Sequence, residues 1–387
     1  MTDTAPLADL PPELGSVEGI RHVALAPGKQ PTAAVEPGMT VFWRDGRAIG
    51  HVLVLADGSR RLDLPDDPAP MPTAILPAGP TASVVICTRD RPEELARCLA
   101  SLPRQSYPPA EIVVVDNASR DDRTRQVADA AGVVYVREDR PGLDIARNTG
   151  AKRATGEIVA YTDDDVLLHP RWLERMVAAF DDPSIGAVTG LVLPGELATE
   201  AQLHFETWWS FGQGYRRRDV TPAVFGARPG QVYPVWEIGA GASMAFRRAA
   251  LEKVGLFDER LDVGQAGCSG DSEMWYRLLA AGIACRYEPS AIAFHFHRRE
   301  MAGLASQIFH YMRGHSASLL VQNERTGIRA NRALALWWKP KWYAGRIVRA
   351  LVRRNRRPED RFLSEEVRGY ISGLIFYARR RRDRHGA

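Results

Sequence analysis

The chain has 387 residues, 45% hydrophobic and 25% charged, a size that suits one large α/β domain with extensions and exceeds a single simple core. Its four cysteines, Cys87, Cys98, Cys268 and Cys285, form no Cys-x-x-Cys pair, which argues against a zinc site or a disulfide scaffold. No apolar run approaches the ~20 residues of a spanning helix, so an integral membrane protein is excluded. Met1 to Leu14 lacks the basic start and apolar run of a secretory signal, and a cytoplasmic location is expected. The net charge of +4 is uneven: from Lys339 onward two Lys and thirteen Arg stand against three Glu and two Asp, a net +10 that leaves −6 on the rest. The basicity belongs to the C-terminal tail.

In chain order, residues 1–64 read as a small β module, because Val41 to Arg44 and Ala48 to Leu55 flank Asp45-Gly46, a hairpin signal. Six prolines between Pro65 and Pro80 fix φ and remove donors, which predicts an extended linker over 65–80. From 81 to 300 apolar runs alternate with helical stretches. Ser83 to Cys87, Glu111 to Val115, Val133 to Val136 and Glu157 to Tyr161 are expected strands; Arg91 to Leu102, Asp122 to Ala131 and Leu143 to Ala154 are expected helices. This alternation predicts a mostly parallel sheet covered by helices.

Ligands of such sheets bind beyond the carboxyl ends of the strands. Three polar groups fall there: Thr88-Arg89-Asp90, Asp116-Asn117 and Asp163-Asp164-Asp165. Each has an ordinary reading as turn and cap chemistry. The Asp triplet is the most costly, since adjacent carboxylates raise one another's pKa unless a cation sits among them. Mg²⁺ or Mn²⁺ would relieve that repulsion, and a charged turn biasing the next helix is the competing reading.

Downstream, Trp172 to Phe180 is expected to be helical and Gly186 to Leu193 a strand. Trp208-Trp209 suits either the core or stacking on a sugar. Small residues from Gly239 to Ala242 permit close backbone approach before a strand. Asp271 falls at the start of a helix and reads as a cap or as a general base for an acceptor hydroxyl, with Glu273 second. His295 and His297 share one side if their segment is a strand, and read as structural groups or as neighbours of a metal or diphosphate.

Residues 301–387 read as a basic helical extension, with helices near Met301 to Gln322, Lys341 to Asn355 and Phe362 to Arg382. Trp342, Ile347, Val348, Leu351 and Val352 alternate with Arg346, Arg349, Arg353 and Arg354. The pattern fits either a helix on an anionic membrane surface, placing the protein peripherally on the inner face of the plasma membrane, or one packed on the domain. Nucleic acid is not expected, since no reading module accompanies the tail.

Taken together, Ser83-Val84-Val85-Ile86-Cys87-Thr88-Arg89-Asp90-Arg91, Val115-Asp116-Asn117-Ala118-Ser119, Ala146-Arg147-Asn148-Thr149-Gly150 and Asp163-Asp164-Asp165 resemble the successive motifs of family 2 glycosyltransferases. The resemblance runs from about Ala82 to Arg299. It implies a GT-A fold and inverting transfer from a nucleotide-diphospho-sugar to a glycan or lipid-linked acceptor, as in bacterial surface polysaccharide synthesis. By the resemblance, Thr88, Arg89, Asp90, Asp116, Asn117, Arg147, Asp163, Asp164 and Gly241 bind the nucleotide sugar. Asp163 and Asp165 are implied metal ligands for Mn²⁺ or Mg²⁺, joined by His295 and His297, and Asp271 is the implied base. Gly270 stands where the family commonly has Glu, which keeps open a catalytically silent sugar-nucleotide binder; a metal-dependent nucleotidyltransferase is the other alternative.

Overall fold

The computed structural model describes residues 10–15, 17–26, 29–31, 36–64, 79–227, 230–352 and 357–385, with side chains through Arg380. Asp45 and Gly46 take φ of 52° and 68°, the left-handed pair that a tight hairpin needs. They join β2 (Gly38–Arg44) to β3 (Arg47–Val54); β1 (Ile20–Ala24) pairs in parallel with β2, and β4 (Arg60–Asp63) antiparallel with β3. This small sheet shares its core with the larger one. Met39, Val41, Trp43 and Leu53 are buried together with Leu191, Leu193, Ile292 and Phe294, and the Trp43 ring stacks on His169 with centroids 5.8 Å apart. Residues 65–78 of the expected linker lie outside the described residues.

The second sheet alternates with helices as the periodicity predicts. β5 (Ala82–Thr88) leads to α1 (Pro92–Ser101), β6 (Glu111–Asn117) to α2 (Arg123–Ala130), β7 (Val134–Glu138) to α3 (Leu143–Arg153), and β8 (Ile158–Asp163) to the short β9 (Val166–Leu168) and α4 (Trp172–Ala178). β10 (Ile185–Pro194), α5 (Glu200–Trp209), β11 (Arg218–Val220), α6 (Pro222–Gly226), β12 (Ser243–Arg247), α7 (Arg248–Val254), α8 (Gly270–Ala280) and β13 (Ala284–His295) complete it.

The strand order is β11-β13-β10-β12-β8-β5-β6-β7, with β9 beside β13. β8, β5, β6 and β7 are parallel, whereas β12 runs antiparallel to both β8 and β10, so the sheet is mixed and its parallel half carries the strand ends that matter. β5 and β13 are buried at every residue; strands covered on both faces read as unbroken apolar runs. Apolar clusters lie on both faces of the sheet.

The C-terminal extension folds as α9 (Met301–Thr326), α10 (Arg329–Ala333), α11 (Lys339–Val352) and α12 (Leu363–His385). α9 and α12 run alongside each other in the same direction at close range: Cβ atoms at Gly369 and Gly373 would fall 2.2 and 2.1 Å from the carbonyl oxygens of Phe309 and Arg313. Among the described residues no helix is long and apolar enough to cross a membrane.

Arg346 departs from the expected solvent or lipid face. Its guanidinium is buried in ion pairs with Asp360 and Glu366, each at 2.7 Å, because a charge removed from water needs partners. The apolar side chains of the same region are the exposed ones. Trp337, Trp338, Trp342, Val348, Leu351 and Val352 are each between 47% and 76% accessible. Arg353 and Arg354 lie outside the described residues.

Candidate functional site

The loops after β5 and β6 and the turn before α8 each contain a non-glycine residue in the left-handed region: Asp90 at φ 55°, Ala118 at 57° and Ser269 at 86°. Such conformations cost on the order of 1–3 kcal/mol each and persist where surrounding contacts impose them. Of the three, Ser269 lines a cavity of about 1630 Å³, while Asp90 and Ala118 stand behind its wall, which is formed by Thr88, Arg89, Asn117, Arg147, the Asp triplet and Asp271 at one end and by α9 and α11 at the other.

The triplet divides its work. Asp164 turns back into the fold, accepting from Thr88 Oγ1 and Arg91 Nη1 at 2.7 Å each. Burial, and then the neighbouring Asp165, push its carboxyl up to about 7. Asp163, Asp165 and His295 instead bring one ligand atom apiece to within 4.8 Å of one another. Burial raises the Asp163 pKa against the opposing pull of Arg147, whose Nη2 lies 3.8 Å away. Asp165 is also buried, yet His295 at 3.2 Å and Arg91 at 2.9 Å hold it well below the usual carboxylate range.

His297 stands behind this cluster. Its Nδ1 meets His295 Nδ1 at 3.0 Å, and its Nε2 faces Glu206 Oε2 at 3.6 Å. Burial depresses the His297 pKa; burial also pulls on His295, but Asp165 and Asp163 together raise it. β13 ends at His295, so His297 lies beyond the strand, its ring packed on that of His295 with centroids 4.7 Å apart; only His295 joins the two carboxylates.

The other sequence-derived residues separate into those that face the cavity and those that build its wall. Asp116 is fully buried and takes three donors, Tyr135 Oη at 2.7 Å, Arg137 Nη1 at 2.9 Å and Ser119 N at 3.0 Å, so it fixes the β6 loop and does not line the cavity. Asp90 likewise accepts from the Arg120 backbone at 2.8 Å, away from the lining. Asn117 lines the cavity and clamps the start of α3, accepting from Gly142 N at 2.6 Å and donating to Arg140 O at 2.8 Å. Arg89 faces the cavity with a half-exposed side chain. A Cβ at Gly241 would sit 2.7 Å from Arg147 Nη2 and 2.9 Å from Asp271 Oδ2, so only glycine lets the backbone pass between those charges. Ser243 accepts from the Trp172 indole at 2.9 Å inside the core.

At the α8 end, Asp271 lies in the first helical turn and Ser269 occupies the cap position. One Asp271 oxygen accepts from Gly241 N at 3.0 Å and the other from Ser272 N at 2.7 Å, which holds the carboxylate in the cavity wall. Glu273, two residues on, is 1% exposed and bound to Arg277 at 2.8 Å. It is a structural ion pair and does not reach the cavity. At Gly270 a Cβ would fall 2.0 Å from Asp144 Oδ2: no side chain fits there because the Asp144 carboxylate, paired with Arg147 at 3.1 Å, already fills the space.

Residues 83–255 match the model of glycosyl transferase family 2. The matched segment belongs to that family. Among curated relatives, this glycosyltransferase is 27% identical over 270 residues to the glycosyltransferase AglE of Haloferax volcanii, covering 67% of this chain and 80% of that one. It is 29% identical over 185 residues to the glucosyl-dolichyl phosphate glucuronosyltransferase of the same organism, covering 46% and 55% respectively, so it spans about half of that relative's length. The solved mannosyltransferase PcManGT of Pyrobaculum calidifontis, in complex with GDP-Man and Mn²⁺, superposes with a TM-score of 0.51 at 19% identity, covering 80% of this chain and 90% of that one. The likeness is one of fold, and it is the GT-A fold.

The donor atoms of the glycosyltransferase fit a divalent cation. Two carboxylates and an imidazole within 4.8 Å form an oxygen-rich set with one borderline nitrogen, suited to Mn²⁺ and acceptable to Mg²⁺. Four residues that organise the site escaped the motif reading. Arg91 bridges Asp164 and Asp165, Asp144 holds Arg147, Asp262 accepts from Ile145 N at 3.0 Å at the start of α3, and Glu206 faces His297. Arg91 and Asp144 stood inside or beside quoted motifs. Asp262 and Glu206 come from distant segments, and nothing local in the sequence marks them.

Proposed function

We propose that the enzyme transfers a sugar from a nucleotide-diphospho-sugar to an acceptor hydroxyl with inversion at the anomeric carbon, in surface polysaccharide or glycoconjugate synthesis. The observation that carries this reading is the placement of two separate carboxylate centres in one cavity: Asp163 with Asp165 and His295 at the ends of β8 and β13, and Asp271 at the start of α8.

Asp163, Asp165 and His295 would hold Mn²⁺ or Mg²⁺, which when bound neutralises charge on the departing diphosphate. His295 would serve as a ligand through an unprotonated ring nitrogen, so metal binding should weaken as pH falls through the imidazole range. Thr88, Arg89 and Asn117 border the nucleotide end. Arg147, fixed by Asp144, sets a permanent positive charge beside Asp163. Asp271 removes the proton of the attacking hydroxyl. The new bond forms between acceptor oxygen and anomeric carbon as the bond from that carbon to the diphosphate oxygen breaks, the electron pair leaving with the diphosphate. A single base on the acceptor side, with no second carboxylate called on as nucleophile, corresponds to inversion.

Gly270 is compatible with an active enzyme in this reading, since Asp271 is retained and Asp144 occupies the adjacent space. The exposed row Trp337, Trp338, Trp342, Val348, Leu351 and Val352 beside a tail of net charge +10 supports peripheral docking on an anionic bilayer, apolar side chains entering the interface and cations meeting the headgroups. The activity is tested by incubating the protein with UDP- and GDP-sugars, Mn²⁺ and candidate glycoside acceptors, and reading the product anomer by NMR. Inverted product is expected; retained configuration, or no product across the panel, would contradict the proposal.

A further inference from the structure

The last turn of α5 and the irregular chain that follows it, residues 210–217, form one wall of the cavity. Trp208, Trp209, Ser210, Phe211 and Gln213 line it. Phe211 stands at right angles to the His295 ring, with centroids 5.3 Å apart. Irregular chain keeps its conformational freedom unless contacts remove it. The large domain supplies one such contact through Tyr287, whose hydroxyl donates to Gly214 O at 2.7 Å.

Further contacts come from the small N-terminal sheet, which lies outside the matched segment. Across the antiparallel β3–β4 pair His51 stands opposite Asp63 and Leu53 opposite Arg61, so these side chains share one face. Leu53 is buried in the core common to both sheets, and its neighbours on that face reach the wall. Arg61 Nη1 donates to Thr207 O at 2.6 Å. That carbonyl belongs to the last turn of α5, where helix carbonyls lack intrahelical partners and a cation is favoured. The same guanidinium lies 4.2 Å from the centroid of the Trp208 ring, within cation–π range. Eight residues on, His51 Nδ1 meets the hydroxyl of buried Tyr215 at 2.8 Å. The face that anchors the small sheet therefore grips both ends of residues 207–215.

We propose that residues 207–215 are a fixed wall beside the metal-and-diphosphate end of the cavity, and that Arg61 and His51 of the N-terminal module are the positioning residues that hold it. The module is then part of the site. The inference rests on the donor-site reading of Asp163, Asp165 and His295 for what the wall serves.

The test uses the full chain. Hydrogen exchange of the metal-free protein, read by mass spectrometry, is expected to quicken about tenfold across 207–215 in Arg61→Ala, roughly the worth of one charged hydrogen bond, with β5, β6 and β8 as protected as in the parent. Affinity for UDP or GDP with Mn²⁺ should fall by a similar factor at unchanged melting temperature, since Arg61 is exposed. Arg61→Lys, which keeps a cation over the ring, should recover most of both losses. Adding Trp208→Ala to Arg61→Ala should cost little more, because Arg61 acts through Trp208. His51→Phe should loosen the Tyr215 end by a smaller factor. Unchanged exchange in Arg61→Ala, or fully additive losses with Trp208→Ala, would overturn the inference. A parent that binds neither nucleotide refutes the donor-site reading and the wall's role there; a parent that binds them no more tightly than Arg61→Ala refutes the positioning role alone.

Discussion

The two ends of the cavity solve opposite problems. At the strand ends, charged groups crowd together and compensate one another: Arg91 serves two aspartates, His295 a third contact, and Arg147 is held between Asp144 and Asp163. Along α9, Gln307, His310, His315 and Gln322 each carry a buried polar atom without a hydrogen-bond partner among the described residues, and Lys339, Arg346 and Arg349 line the same end of the cavity. The first end would suit a highly charged ligand with its cation, whereas the second sets unpartnered amide and imidazole atoms beside the cations of α11. The contrast teaches that the two kinds of surface are separated by element: compensated charges on β8, β13 and the start of α8, unpartnered polar atoms on α9.

The contrast is broken most severely at Asp271, where the two ends meet. Asp271→Asn is expected to lower kcat by about 10²- to 10⁴-fold, the usual contribution of a general base, while leaving nucleotide affinity and melting temperature close to the parent. Glu273→Leu should do the reverse. Removing one partner of the buried Glu273–Arg277 pair is expected to cost about 3–5 kcal/mol of stability, read by chemical denaturation, and any kcat change should follow the folded fraction.

A smaller effect is expected from pH. His169 is fully buried and its pKa is pushed down to about 3, as is that of His315, in both cases chiefly by burial. Between those values and the unfolded pKa near 6.5 the unfolded chain binds the extra protons, so stability falls as pH drops through that window, by up to about 1.4 kcal/mol per pH unit for each histidine. His169→Gln should flatten the acid limb of the melting curve; an unchanged limb would show that these imidazoles are not the source. The smallest expected change is at the surface. Trp337→Ser with Leu351→Ser should reduce flotation with phosphatidylserine-containing vesicles by about tenfold while leaving melting temperature unaltered, and equal flotation would reject docking through α11.

Much of the donor half was legible because its signals are local. The strands β5, β6 and β8 read as apolar runs, and their ends delivered Thr88, Asn117 and the Asp triplet to one cavity. Composition failed where a side chain's partner comes from far along the chain. Asp116 and Asp90 look like ligands in the sequence, yet Arg137 with Tyr135, and Arg120, take up their carboxylates. Glu273 has the spacing of a second base, but Arg277 one turn later captures it. Arg346 sat in a plausible membrane pattern, and only the fold brings Asp360 and Glu366 to it. The strand after Gly239 to Ala242 was expected, but the antiparallel direction of β12 was not legible, since pairing direction is a long-range property. Gln307, His310, His315 and Gln322 stand in no motif, and only the fold sets them along the same cavity.

The central claim is that Asp163, Asp165 and His295 bind the nucleotide diphosphate together with a divalent cation. Calorimetric titration of UDP and GDP into metal-free protein, with and without Mn²⁺, tests it directly, using Asp163→Asn and Asp165→Asn as controls. Binding that requires Mn²⁺ and weakens at least tenfold in each variant is predicted, about 1.4 kcal/mol for the loss of a charged ligand contact. Nucleotide binding of equal strength without metal, or in both variants, would contradict it.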